Sequence, residues 1–138
     1  MADNSATEAA ERRKTQRFIA TRRGEQCFWV IIDGQRHPLS DLSLSGFSMP
    51  ASSPLPAGKA FEFVLQRANV PDEIRGFAKV VNHIQGAGSG QAGCLFEPLE
   101  PDAIERLEDW LAAHVLMNAS VPINERDAAR IVTGPSLI

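Results

Sequence analysis

The stretch Cys27-Phe28-Trp29-Val30-Ile31-Ile32 constrains the fold more than any other part of the chain. Its β-branched and aromatic residues mark a strand, and the Asp33-Gly34 pair that follows favours a tight hairpin turn. A returning strand is therefore expected from about Arg36 to Leu42. Both faces of the first strand are apolar. A half-solvated sheet would leave one of them in water, whereas a closed barrel with a helix packed outside covers both. The expected class is thus mainly β. Further strands are expected at Gly46 to Met49, around the alternating Phe61, Phe63 and Leu65, from Ile74 to Ile84, and at Gly93-Cys94-Leu95-Phe96.

A helix is expected from Pro101, a residue suited to the first helical position. Ile104, Leu107, Trp110, Leu111, His114 and Val115 follow it at helical spacing as one apolar stripe. Residues 1–10 lack a run of large apolar residues and are expected to form a disordered tail. After Met117 the pattern fades, with at most a turn or two of helix near Asn124 to Arg130. Residues 118–138 are accordingly expected to be a loosely held tail. At 138 residues the chain suits one compact domain and not two. That domain would span 11–117, with a basic arm at 11–23, a barrel at 25–97 and the helix at 101–117.

Charge is uneven. Arg12, Arg13, Lys14, Arg17, Arg22 and Arg23 crowd the arm, opposed there by Glu11 alone, while acids crowd 97–109 on the exposed side of the expected helix. The formal net charge of -3 excludes a broadly basic nucleic-acid binder but not a local cationic site. Cys27 and Cys94 lie far apart in apolar runs, which fits a reducing compartment and inert packing thiols better than a disulfide framework. No secretory signal and no membrane-length apolar run are present, so a cytoplasmic location without membrane insertion is expected. The histidines His37, His83 and His114 are scattered and the cysteines unpaired in spacing, so no metal site is expected. No nucleophile elbow and no phosphate-cradling Gly-rich loop appear either, and the chain does not read as an enzyme.

Two short constellations remain. In Arg12-Arg13-Lys14-Thr15-Gln16-Arg17, guanidinium forks can grip phosphates with paired charge-assisted hydrogen bonds, stack on purines or read a guanine edge. In Asp41-Leu42-Ser43-Leu44-Ser45-Gly46, an acid can accept from guanine N–H donors, a serine offers an adaptable hydroxyl, and Gly46 permits positive φ or close backbone approach. Alone, the first could be a solvated tail and the second an Asx turn.

Taken together, Arg-x-x-x-Arg followed 24 positions after Arg17 by Asp-x-Ser-x-x-Gly resembles the PilZ domain family of bacterial cyclic di-GMP receptors. Phe77 to His83 is similar to that family's long strand, Gly93 to Glu97 to its closing strand, and the helix from Pro101 sits where the family packs one. The resemblance covers about Arg12 to Leu116. It implies a six-stranded antiparallel β-barrel with a C-terminal helix outside and flexible tails. It implies that Arg13 and Arg17 bind phosphates and guanine edges, that Asp41 and Ser43 contact a guanine, and that Gly46 allows the approach. Arg12, just before the motif, points to two mutually intercalated cyclic di-GMP molecules per chain. The implied function is a receptor and adaptor, with no further cofactor, whose arm orders on binding and which signals to a separate, unidentified protein. The alternative is a PilZ-type adaptor that contacts its protein partner without ligand. A nucleic-acid polymer is opposed by the negative charge. One departure stands out: the family's stacking tryptophan near the end of the long strand is Asn82 here. Trp29, inside an apolar run, is expected to be buried and so unable to replace it.

Overall fold

The computed structural model describes residues 15–51, 58–85 and 90–134. Its strands are β1 (Phe18–Ile19), β2 (Thr21–Arg22), β3 (Glu25–Gln26), β4 (Phe28–Ile32), β5 (Gln35–Pro38), β6 (Asp41–Leu42), β7 (Gly46–Pro50), β8 (Ala60–Arg67), β9 (Val70–Gln85) and β10 (Gly90–Phe96). Two helices follow, α1 (Pro101–Asn118) and α2 (Glu125–Thr133).

One antiparallel sheet contains eight strands in the order β1-β6-β7-β10-β9-β8-β4-β5, and β2 pairs with β3 separately. Six strands were expected, and two causes account for the difference. The strand expected over 36–42 is broken into β5 and β6, and the base of the arm adds β1 to the edge of β6. Pro38 ends β5, since it has no N–H to offer a ladder. The break is small: Leu39 N donates to Phe28 O at 3.1 Å on the β4 side, and Ser40 N donates to Ser48 O at 2.8 Å on the β7 side. These two consecutive residues join the opposite ends of the curled sheet.

The β4–β5 turn is the one the sequence suggests, with Asp33 at φ 50° and Gly34 at φ 76°. Inside the curl, Phe28, Val30, Leu42, Phe47, Phe63, Leu65, Ile74 and Val80 are buried. The rings of Phe47, Phe63 and Phe96 pack at centroid distances of 5.2–5.9 Å. Trp29 is only half-buried, on the outer face, with the Arg36 guanidinium 4.0 Å above its ring. The expected burial fails because β4 turns Phe28 and Val30 inward, and period two then turns Trp29 out.

Helix α1 adds Ala103, Leu107, Trp110 and Leu111 to the same core. Ile104, expected on the buried stripe, is 40% exposed and Ala103 takes its place. Arg106 Nη1 donates to Asp72 Oδ1 and to Glu73 O, each at 2.6 Å, and Trp110 Nε1 donates to Asp72 Oδ2 at 3.0 Å. Together they fasten α1 to β9. The segment 118–138, expected to be a loosely held tail with at most a turn or two of helix near Asn124 to Arg130, carries the longer α2. A capping box between Asn124 and Asp127 starts this helix, and Ala128 and Val132 are fully buried.

Candidate functional site

The arm reaches the barrel through β1, where Phe18 pairs with Leu42 and Ile19 with Asp41. This pairing sets Arg17 beside β6. Below it, Thr15 Oγ1 and Ser45 Oγ share a hydrogen bond at 2.8 Å, tying the arm to the loop after β6. Arg17, Asp41, Ser43 and Gly46 come together on one cleft of about 310 Å³. Arg12 and Arg13 lie outside the described residues.

Asp41 is half-buried, and its carboxylate has no hydrogen-bond or ion-pair partner among the described residues. Arg17 is exposed and equally uncommitted. A carboxylate acceptor and a guanidinium donor therefore line the same cleft, neither engaged by another described residue.

Ser43 is differently placed. It is buried, and its hydroxyl accepts from Ser45 N and Gly46 N, each at 3.2 Å. Its backbone N–H donates to Gly46 O at 2.9 Å. The turn after β6 is thus organised by a serine hydroxyl and not by an aspartate, so Asp41 is not spent on the turn. The direct guanine contact expected of Ser43 competes with this turn, and Ser45 Oγ, 3.1 Å away, extends the same hydroxyl chain outward.

Gly46 does not take a positive φ. A Cβ there would run into the carbonyl oxygen of Cys94 on the neighbouring strand β10. Close strand approach demands glycine at this position whether or not a ligand is near.

Asn82 lines the cleft from β9. Its Oδ1 accepts from Gly93 N at 3.1 Å, where the β9–β10 register shifts between Gly93 and Cys94. The amide side chain fills the hydrogen-bond position that the bulge opens, and a Cβ on Gly93 would collide with it. Trp29 does not line the cleft.

Sequence reasoning missed Ser40, Ser48 and Gln91, all on the cleft wall. Ser40 Oγ donates to Gln91 Oε1 at 2.7 Å. Ser48 shares a face with Gly46 at period two along β7, a signal that was available. Gln91 was hidden because β10 begins earlier than its apolar residues suggest. Cys94 also borders the cleft, but burial pushes its thiol up to about 12, so it stays protonated and inert as a nucleophile. Among the described residues no group of three or more His, Cys, Asp and Glu is placed to hold a metal, and no helix is long and apolar enough to cross a membrane.

A family model described as PilZ domain matches residues 11–113. A search of curated proteins returns no match. Among solved structures, the K. pneumonia MrkH–c-di-GMP complex is similar at a TM-score of 0.64 and 23% identity, over 76% of this chain and 53% of that one. The Bacillus subtilis inhibitor of motility MotI/DgrA is similar at 0.63 and 14%, over 78% and 53%. Escherichia coli YcgR in complex with c-di-GMP is similar at 0.60 and 16%, over 75% and 46%. This chain spans about half the length of each, and the likeness is one of fold.

Proposed function

Because the chain belongs to the PilZ domain family, we propose that it is a receptor for cyclic di-GMP that binds the nucleotide in the cleft at β6 and does not transform it. The observation that carries this reading is the convergence of Arg17, Asp41, Ser43 and Gly46, from two separated motifs, on one cleft, with neither Arg17 nor Asp41 paired to another described residue. The Arg17 fork offers bidentate donors to a phosphate or to the guanine O6/N7 edge. The Asp41 carboxylate accepts from guanine N1 and N2 donors. Ser43 holds the turn that presents Asp41, with Ser45 as the outward hydroxyl.

Arg13 and Arg12 precede this point and would close over the doubly negative ligand, Arg12 adding the contact that admits a second molecule. Ordering of the arm from Arg12 to Phe18 accompanies binding, and within it Thr15 and Phe18 have partners on the barrel. The arm, once closed over the ligand, forms the surface read by a separate protein. Asn82 offers no aromatic face, and stacking would otherwise contribute about 1–3 kcal/mol per base. The receptor is accordingly weaker than a tryptophan-bearing one by up to two powers of ten.

Isothermal titration with cyclic di-GMP tests the reading. Micromolar or tighter binding is expected, abolished in the Arg13→Ala, Arg17→Ala double variant. Arg12→Ala should lower the stoichiometry from two ligands to one. Absence of binding at micromolar ligand, or unchanged binding in the double variant, overturns the assignment in favour of a ligand-independent adaptor.

A further inference from the structure

A second cavity, of about 420 Å³, lies between the β2–β3 hairpin, the end of β8 and helix α1, and shares no lining residue with the cleft at β6. We propose that it is an anion site that takes a small organic phosphate, with Arg22, Arg23 and Arg67 gripping the phosphate.

These three guanidiniums line the cavity with Glu25 as the one acid among its lining residues. None of the three pairs with a carboxylate among the described residues. Arg22 is the clearest case. Among the described residues its Nη1 has only the thioether of Met117 at 3.8 Å, and its buried Nε has no hydrogen-bond partner. A thioether is a weak acceptor, and a buried charged donor left unpaired is costly enough that folded proteins seldom keep one without a use for it. Arg67 sits with its guanidinium carbon 5.8 Å from the centre of the Trp110 ring and makes no ion pair there. Arg23 occupies a hairpin position at φ 53° that Asn, Asp or Gly fills with less strain. Three cations against one acid leave a surplus suited to a dianion, and guanidinium forks match phosphate geometry. The cavity exceeds what inorganic phosphate fills, and Trp110 and Phe28 supply apolar wall for the body of an organic ligand.

Phenyl phosphate serves as the probe in amide and arginine Nε spectra of the whole protein, beside inorganic phosphate and benzoate. Saturable shifts are expected at Arg22 to Gly24, at Arg67 to Val70 and at the Arg22 Nε signal. Phenyl phosphate should bind at least tenfold more tightly than benzoate, which has the ring without the second charge. Arg23→Asn, which keeps a residue favoured in the turn, and Arg67→Gln should each weaken it about tenfold, the loss of one charge-assisted contact. Titration of cyclic di-GMP should be unaffected in both variants. No saturable shift at millimolar probe, equal binding of benzoate, or full binding in Arg23→Asn protein overturns the site. Cyclic di-GMP shifting these same amides in Arg17→Ala protein would also overturn it, because the cavity would then belong to the nucleotide.

Discussion

Asp41, Ser43 and Gly46 stand within one short motif but do three different jobs. Asp41 presents a carboxylate unpaired among the described residues, Ser43 holds a turn, and Gly46 makes room for the Cys94 carbonyl. Substitutions should separate them. Gly46→Ala should destabilise the fold by about 1–3 kcal/mol through overpacking, seen as a lowered urea midpoint. Asp41→Asn should leave the unfolding free energy within about 0.5 kcal/mol of the parent and weaken cyclic di-GMP binding tenfold or more. An Asp41→Asn protein that unfolds early would show that the carboxylate is structural. The motif was readable as a set because its residue types and spacing are specific. The division of labour was not, because a serine hydroxyl can cap a turn as well as meet a ligand, and residue type and spacing do not reveal the 3.2 Å bonds from Ser45 N and Gly46 N. Asn82 shows the same limit: its position was legible, its use in filling a bulge was not.

The strands from β4 onward announced themselves by apolar runs and alternation, and α1 by its stripe and its leading proline, whereas β1, β2 and β3 gave no such signal. Helix α2 was legible only as a turn or two near Asn124 to Arg130. It is 9 residues long, its two buried side chains are small, and its capping box is Asn with Asp rather than the commoner Ser or Thr with Glu. Its packing is nonetheless testable. Val132→Ala removes two methyl groups from a fully buried site and should cost about 2 kcal/mol by urea denaturation. An effect within error would mean that α2 adds nothing to the core. The break between β5 and β6 was equally hidden, since Leu39 and Ser40 carry no turn signal and the cause lies in which partner each strand half meets.

For the molecule as a whole, the arm, α1 and the barrel meet at His114. Its Nε2 donates to Ile19 O at 2.8 Å, its ring packs edge-on against Phe28 at 5.0 Å, and it is 5% exposed. Burial lowers its pKa, and the charges of Arg22 and Arg67 act in the same direction against the opposing bond to Ile19. The folded protein therefore holds it neutral where the unfolded chain, titrating near 6.5, takes up a proton. Stability should be constant in this respect above about pH 6.5 and fall as pH drops below it, levelling once the folded form also protonates. Thermal melts across that range should show the decline, reduced in His114→Gln, and a parent as flat as the variant would contradict it. Fold class and chain order were legible because local pattern and the family resemblance agree on them. The arginine cavity was not, because Arg67 joins Arg22 and Arg23 only after the hairpin and β8 have packed on α1.

The junction at Leu39 and Ser40 has a mechanical consequence. A cylinder shut by two edges lying side by side can be peeled along its seam, one rung at a time. Here a single backbone crosses from one rim to the other, so slack on the β4 side is transmitted through covalent bonds to the β7 side. Asp41, the next residue along, thus begins β6 directly after the covalent crossing between the two sides of the curl.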